Sequence, residues 1–172
     1  MNSWIKGKLS LIYLFWALII LLVGLLIIEQ TKFTAKTTYY DEQIKAAQLM
    51  KTSLEIIKEE RLKRNIPVDV KFDTNQTGII GGEYTRLTTT LGNLAAKRTS
   101  TNPAFAALLV KYLKETHLKK GDVIAIGSSG SFPALIVATL SAAKALELDP
   151  LLIYSIGSSE YGANIPKFTF VE

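Results

Sequence analysis

The chain has no cysteine and only one histidine among its 172 residues. The absence of cysteine excludes disulfide bonds, zinc–thiolate sites and thiol catalysis. The single histidine, His117, excludes a histidine-rich metal site and makes any Ser-His triad depend on that one residue. We therefore expect no metal site and no cofactor.

The sequence also lacks a basic tract and an ATPase-type phosphate loop. The formal net charge is only +5, and the lysines and arginines are scattered along the chain. A nucleic-acid partner is not expected, because such partners are bound by clustered positive charge. The GxxxxGK[ST] spacing is absent, which argues against an ATP-driven ligase.

A long apolar run is the first feature that is present. Leu9 to Ile28 contains no charged residue, and a helix of about 20 residues spans about 30 Å, the thickness of a bilayer core. The alternative, a cleavable signal peptide, has a shorter apolar core that ends at small residues, and Ile27–Gln30 offers none. We predict that residues 1–29 form a membrane anchor.

The charges beside this run give its orientation. Two lysines lie on each side of it, so the positive-inside rule favours a cytoplasmic amino terminus only slightly, and the short leader adds to that preference. We expect a single-pass protein of the cytoplasmic membrane, with residues 30–172 outside the cytoplasm.

Residues 30–66 are predicted to be a linker and a juxtamembrane helix. Apolar residues recur at three- and four-residue steps between Tyr39 and Asn65, which is typical of an amphipathic helix. Such a helix could pack on the following domain or form a short coiled-coil stalk. We favour packing on the domain, because the segment holds fewer heptads than a coiled coil needs.

Residues 67–172 are predicted to form an α/β domain. Val68–Phe72 alternates between apolar and polar residues, which predicts a strand. The pattern over Thr88–Lys97 fits a strand, a loop or a weak helix equally well. Pro103 suits the first turn of a helix that begins near Ala104.

The second half of this domain has a strand–helix–strand pattern. Val123–Ile126 and Leu151–Ile156 are short apolar runs, and Pro133–Leu146 between them is helical, with Ser131 positioned to cap it. Such a unit is a right-handed parallel crossover. We therefore predict a βαβ-containing α/β fold with a mainly parallel, buried sheet.

Each of the two apolar strands is followed by Gly-Ser-Ser. Because the carboxyl ends of parallel strands lie along the same edge of a sheet, both clusters should lie where α/β proteins bind ligands. The first cluster also leads into a helix amino terminus, which favours an anion such as phosphate or carboxylate. The candidate ligand-binding residues are Gly127, Ser128, Ser129, Gly130, Ser131, Gly157, Ser158 and Ser159.

Two other interpretations of these clusters remain open. Gly127–Ser131 resembles the G-x-S-x-G nucleophile elbow, with Ser129 as the weak candidate for a catalytic nucleophile. It departs from that motif because a serine replaces the last glycine, and no histidine follows His117. In the third interpretation, the small residues only permit a tight turn and a polar cap.

Three long segments resemble the bacterial poly-gamma-glutamate system protein (PgsW) family. They are GIIGGEYTRLTTTLGNLAAKRTSTNPAFAALLVKYLK, GDVIAIGSSGSFPALIVATLSAAKAL and LLIYSIGSSEYGANIP. With the apolar run, the resemblance extends from about Leu9 to Pro166. It implies a membrane-associated component of the machinery that makes and exports poly-gamma-glutamate, whose partners are the bilayer and the other synthesis proteins. It implies no catalytic residues. Family members are longer, so we expect a truncated member with an incomplete sheet.

These observations lead to one functional expectation and one alternative. We expect an accessory component that binds polymer, an anionic ligand or partner subunits, because a polycarboxylate suits a serine-rich helix amino terminus. The alternative is a serine-dependent hydrolase or transferase that acts on the polymer.

Overall fold

The computed structural model describes residues 10–31, 36 and 38–172. The predicted flanking lysines Lys6, Lys8 and Lys32 lie outside the described residues, as does Leu9. Internal contacts divide the chain into two units, Met1–Thr37 and Thr38–Glu172.

The first unit contains one helix, α1, over Leu11–Gln30, and none of its side chains is buried. It is long and apolar enough to cross a membrane, and a signal sequence near the amino terminus would meet the same criterion. The predicted apolar run is therefore confirmed as a helix of membrane-spanning length.

The second unit contains four helices and four short strands. The helices are α2 (Tyr40–Lys63), α3 (Leu94–Ser100), α4 (Ala104–Glu115) and α5 (Pro133–Ala145), and the strands are β1 (Thr88–Thr90), β2 (Val123–Ser129), β3 (Asp149–Ser155) and β4 (Ser158–Ser159).

The helices α2, α4 and α5 pack against one another and form the core. The apolar face of α2 contributes Met50 and Leu54, and that of α4 contributes Ala106 and Val110, all buried. Burying such stripes against each other is what drives amphipathic helices to pack. The interpretation of α2 as a helix packed on the domain is confirmed.

The predicted strand–helix–strand unit is also confirmed. β2 pairs in parallel with β3, and α5 connects them. A second parallel pair joins β1 to β4. The described residues therefore contain two separate two-stranded parallel sheets. The strands are parallel, as predicted, but they do not form the single sheet that was expected. The α/β class itself fits.

The sheet formed by β2 and β3 is buried on one face only. Alternate residues such as Ile124 and Leu152 are half-buried, whereas Val123, Leu151 and Ile153 on the other face are 65%, 59% and 67% exposed. The expectation of a sheet buried on both faces is wrong, because the helices lie on one side of it.

The predicted strand Val68–Phe72 is wrong. Asp69 accepts hydrogen bonds from the following amides instead: its Oδ1 from Lys71 N at 2.8 Å, and its carbonyl from Phe72 N at 3.0 Å and Asp73 N at 2.8 Å. Local bonds of this kind compete with strand pairing and favour turns.

The ambiguous segment Thr88–Lys97 divides into two elements. Its first three residues form β1, and its last four residues begin α3, whose first turn is capped by Asn93 Oδ1, which accepts from Ala96 N at 3.0 Å. Asparagine is among the residues that best satisfy the open amides of a helix start.

Ser131 does not cap α5, so that prediction is wrong. The residue before the helix is Phe132, and no side chain caps this end. The hydroxyl of Ser131 instead accepts a hydrogen bond from Ser159 N at 3.0 Å. Pro133 does occupy the first turn, as predicted.

Candidate functional site

The two Gly-Ser-Ser segments meet at one edge of the β2–β3 sheet. Ser129 is the last residue of β2 and pairs with Ser155, the last residue of β3. Gly127, Ser128 and Ser129, predicted to be a turn after the strand, are thus the last three residues of the strand itself. Three hydrogen bonds join the segments: Gly130 N donates to Gly157 O at 3.1 Å, Ser158 Oγ donates to Gly130 O at 2.9 Å, and Ser159 N donates to Ser131 Oγ. The predicted neighbourhood of the two strands is confirmed.

A buried lysine lies between these segments. Lys97 comes from α3 and is only 1% exposed. Its Nζ donates to Ser159 Oγ at 2.6 Å and to the carbonyl of Ser131, and lies 4.7 Å from the ring centre of Phe132. We call the five residues that these bonds connect the strand-end cluster: Lys97, Gly130, Ser131, Ser158 and Ser159.

The charge of Lys97 has no direct counter-ion. Among the described residues, no carboxylate oxygen lies within ion-pair distance of its Nζ. Burial lowers the pKa of Lys97 to about 8, and the negative charge of Glu160 opposes this shift. Because burial disfavours the charged form, such an amine can serve as a cation for an anionic ligand or, when neutral, as a base.

Two hydroxyls at the end of β2 and just after it, those of Ser129 and Ser131, keep unused donor capacity. Ser131 Oγ accepts from Ser159 N, and Ser129 Oγ accepts a long 3.4 Å bond from Ser131 N. Within the described part of the chain, neither hydroxyl has an acceptor for its own proton. Both residues are partly exposed, so two O–H donors remain for a ligand.

The glycines of the two segments play different parts. A Cβ at Gly130 would lie 3.0 Å from both Ser158 Cβ and Tyr154 Oη, so Gly130 allows the two segments to approach each other closely. A Cβ at Gly127 would meet nothing within 4 Å, and this residue is exposed. There is free space beside Gly127, although it pairs with Ile153 in the sheet, whereas a Cβ at Gly157 would lie 3.0 Å from Thr89 Cγ2.

Ser129 is not provided with a base. The one bond to its hydroxyl comes from the Ser131 amide, and His117 is an exposed residue just beyond the end of α4. The hydroxyl that does meet an amine is that of Ser159. Ser128 Oγ is buried and makes no hydrogen bond.

Asn164 fastens the glycine-rich segment to the strand ends. It is fully buried; its Nδ2 donates to Gly82 O at 2.8 Å and to Thr88 Oγ1 at 3.0 Å, and its Oδ1 accepts from Gly82 N at 2.9 Å. These bonds use both of its side-chain donors, and the side chain is fully buried, so Asn164 supports the structure and is not accessible to a ligand.

Sequence reasoning missed Lys97. A signal was present, since Lys97 follows Leu94 by three residues and precedes Ser100 by three, and this spacing places all three on one face of a helix. That face is the inward one, with Leu94 half-buried and Ser100 buried. A lysine at an inward position of a short helix is the pattern that identifies this site.

No family model, curated protein or solved structure matches the chain significantly. The described residues also contain no group of three metal-binding side chains. The function of the site therefore has to be inferred from its own geometry.

Proposed function

We propose that the chain is a single-pass component of the cytoplasmic membrane that takes part in poly-gamma-glutamate synthesis or export. In this proposal its α/β domain lies outside the cytoplasm and binds the polycarboxylate at the strand-end cluster. The observation that carries it is the buried cation of Lys97, which has no carboxylate partner within ion-pair distance among the described residues. The apolar helix α1 and the resemblance of three segments to the family support the membrane and polymer parts.

A carboxylate would bind to the hydroxyls of Ser129 and Ser131, which have unused O–H donors. The carbonyl of Ser131 accepts from Lys97 Nζ, so the lysine charge lies next to this segment. The charge of Lys97 acts on such an anion through a poorly solvated interior, where electrostatic attraction is stronger than in water. Direct contact with Nζ is not required.

The binding proposal predicts a definite pH dependence. A bound anion favours the charged form of Lys97, so affinity should be highest below pH 8 and should fall as pH rises through the pKa of about 8. We would titrate oligo-gamma-glutamate into the full chain in detergent micelles at pH 6.5 and pH 9.5. The control ligand is an oligomer of gamma-linked isoglutamine, in which each α-carboxylate is replaced by an uncharged carboxamide. Affinity that does not change with pH, or equal binding of both oligomers, contradicts the proposal.

The geometry also favours a second candidate, acyl transfer by Ser159. Its Oγ lies 2.6 Å from Lys97 Nζ, the arrangement of a serine nucleophile and a lysine base. Ser159 Oγ would attack an amide carbonyl of the polymer while its proton passes to Nζ. Lys97 would then protonate the leaving amine, and water or another amine would release the acyl group. Since Ser159 is only 5% exposed, a substrate would have to open the segment first.

The two candidates have opposite pH dependences. A base must be neutral, so turnover should rise as pH increases through about 8, whereas anion binding should fall over the same interval. Hydrolysis of oligo-gamma-glutamate is followed by release of new amino groups. Ser159→Ala should abolish any turnover by orders of magnitude, and Ser129→Ala, the control, should not.

The proposed orientation has its own test. Protease added to spheroplasts should remove a tag placed after Glu172. A tag that survives, with a cytoplasmic marker also intact, would place the domain inside the cell and contradict this part of the proposal.

A further inference from the structure

The sheet formed by β2 and β3 has two edges, and neither pairs with another strand. Among the described residues, β2 pairs only with β3, and the second sheet is separate. An edge strand exposes a row of unpaired N–H and C=O groups, to which a strand of another chain can add. Natural proteins protect such edges, so an edge without protection is a candidate interface.

Two hydrogen bonds show which backbone groups of β2 point away from β3. Asp149 N donates to Asp122 O at 3.0 Å, and Gly130 N donates to Ser155 O at 3.1 Å. The even-numbered residues of β2 therefore turn their backbone groups towards β3. Since these groups alternate along a strand, those of the odd-numbered residues point outward. The outward residues are Val123, Ala125, Gly127 and Ser129.

The outer edge of β3 is protected against pairing. By the same alternation, its outward residues are Pro150, Leu152 and Tyr154. Pro150 has no N–H to donate, and a proline on an edge strand is one of the devices that prevent edge-to-edge pairing. The ring of Phe170 stacks on that of Tyr154, with 5.3 Å between the ring centres, so this strand is partly covered as well.

The outer edge of β2 has none of these devices. Each of its four outward residues has an N–H, and the strand VIAIGSS carries no charge. Val123 is 65% exposed, and Ala125 is exposed as well. Gly127 is also exposed, and because glycine consists of backbone alone, this exposed surface is backbone surface. An accessible, uncharged edge of this kind is suited to the addition of another strand.

We infer that this edge pairs with the same edge of a second copy of the chain, so that β2 and the partner's β2 run antiparallel. With the two-fold axis at Ile126, Ala125 lies opposite the partner's Gly127, and Val123 lies opposite the partner's Ser129. Residues paired in this way exchange both of their hydrogen bonds, so every outward N–H and C=O group of both strands has a partner. The product is a four-stranded sheet within a two-fold dimer, the commonest symmetry of oligomers.

The distribution of charge favours a second copy as the added strand. Both strands are uncharged, so no like charges lie opposite each other along the pairing. The two Asp122 residues, four positions from the axis on opposite sides, are about 27 Å apart along the strands. Each instead lies beside the end of the other β2, where the buried Lys97 donates to the carbonyl of Ser131. Opposite charges are therefore brought towards each other at both ends. This inference does not depend on the proposed function.

Engineered disulfides test this pairing in the full chain in detergent micelles. Because the chain has no cysteine, only introduced thiols can link two copies. Ala125→Cys and Gly127→Cys, co-expressed with different tags, should form a disulfide between copies, since paired Cα atoms lie about 5.5 Å apart, a distance that disulfides bridge. Either variant alone should link poorly, because its two copies of the thiol lie diagonally across the axis, at about 7–8 Å.

Ile153→Cys is the matched control for this experiment. Ile153 is 67% exposed and pairs with Gly127 of its own copy, so it lies on the same face but one strand further from the partner, at least about 10 Å away. Oxidation should yield at least about tenfold more linked dimer from Ala125→Cys with Gly127→Cys than from Ile153→Cys with Gly127→Cys. Equal yields, which random collision would give, overturn the inference, and so does the absence of linking in both mixtures.

A proline at the edge gives a second, independent measurement. Ala125→Pro removes an outward N–H and none that bonds to β3, so the β2–β3 pair should remain. The dissociation constant of the dimer should rise about tenfold or more, because each copy loses a donor. Ala125→Val is the control, since it keeps the N–H.

Analytical ultracentrifugation of the full chain in micelles, over a series of protein concentrations, measures these dissociation constants. Equal dimerisation of the two variants overturns the inference. A wild-type chain that stays monomeric, as expected if the edge takes a strand of a different protein, overturns it as well. If thermal melting shows that Ala125→Pro does not fold, the disulfide yields decide.

Discussion

Lys97 and Arg61 are two buried cations that have no carboxylate within ion-pair distance in the part of the chain that the structure describes, and they differ in what holds them. Arg61 is fixed by three backbone carbonyls of the segment 67–80. Lys97 is held by one carbonyl, one serine hydroxyl and the face of Phe132. The first set of partners suits a permanent charge, and the second tolerates the neutral amine as well.

The protonation behaviour of the two side chains follows from this difference. Burial lowers the pKa of both, with Asp73 opposing the shift at Arg61 and Glu160 opposing it at Lys97. Only the lysine has a pKa that reaches about 8. The positive charge of Arg61 is therefore constant, whereas the charge of Lys97 depends on pH near physiological values.

The largest expected effect on stability comes from removing the permanent charge of Arg61. Arg61→Met leaves three buried carbonyls without their donors, and we expect a loss of about 3–5 kcal/mol in the free energy of unfolding, as for other broken buried charge networks. Urea denaturation measures it. Arg64→Met is the control, since Arg64 is partly exposed and pairs with Glu60 at 2.9 Å; it should cost less than about 1 kcal/mol. Equal losses in the two variants would show that Arg61 contributes no more than a surface arginine.

Removing Lys97, whose charge depends on pH, should change how the free energy of unfolding varies with pH. The folded-state pKa of Lys97, about 8, lies below the ordinary lysine value of 10.5, so the unfolded chain binds more protons between these pH values. Lys97 therefore makes the folded state more stable as pH rises from 8 to 10.5. Lys97→Met should lack this contribution. The measurement is the difference in free energy of unfolding between wild type and variant across this interval, and a constant difference contradicts the assigned pKa.

A smaller effect is expected from the serine that contacts the lysine. Ser159→Ala removes the acceptor of the 2.6 Å bond from Lys97 Nζ and should cost on the order of 1 kcal/mol. Thermal or urea unfolding at pH 7 would measure this loss. A loss near zero would indicate that the carbonyl of Ser131 alone holds the amine.

The smallest effect is expected at Ser129. Its hydroxyl takes part in one long bond of 3.4 Å and is partly exposed, so Ser129→Ala should change stability by less than about 0.5 kcal/mol. Comparing this variant with Ser159→Ala in the same assay shows which serine matters more for stability: Ser129, which the sequence motif suggests, or Ser159, which Lys97 contacts. A larger loss at Ser129 than at Ser159 would reverse that assignment.

The spacing of apolar residues and the prolines at helix starts predicted much of the fold. The helices α2, α4 and α5 and the parallel pair β2–β3 follow from apolar spacing, Pro103 and Pro133, which report directly on local structure. The alternation over Val68–Phe72 failed, because Asp69 offers its own oxygens to the following amides. An alternation of apolar and polar residues can therefore occur in a strand or in a turn, and the contacts of the neighbouring residues decide which of the two forms.

The location of the candidate site could be predicted from the sequence, whereas the residues that determine its chemistry could not. Gly-Ser-Ser after two neighbouring strands located the edge of the sheet. The lysine belongs to α3, a segment whose sequence pattern was ambiguous. It precedes its partner Ser159 by 62 residues. Such a contact depends on tertiary packing, which local spacing cannot give.

The distance in sequence between the partners at the strand ends also bears on how fast the molecule folds. Gly82 and Asn164, which exchange hydrogen bonds, are 82 positions apart, and Ser158 and Gly130 are 28 apart. Closing loops of this length costs chain entropy before any bond is gained, so contacts of this kind slow folding. The packing of α2 on α5 also joins distant parts of the sequence, so it carries the same cost. The helical core and the partners of Lys97 should therefore become protected from hydrogen exchange together, and the lysine should stay solvated until that common step.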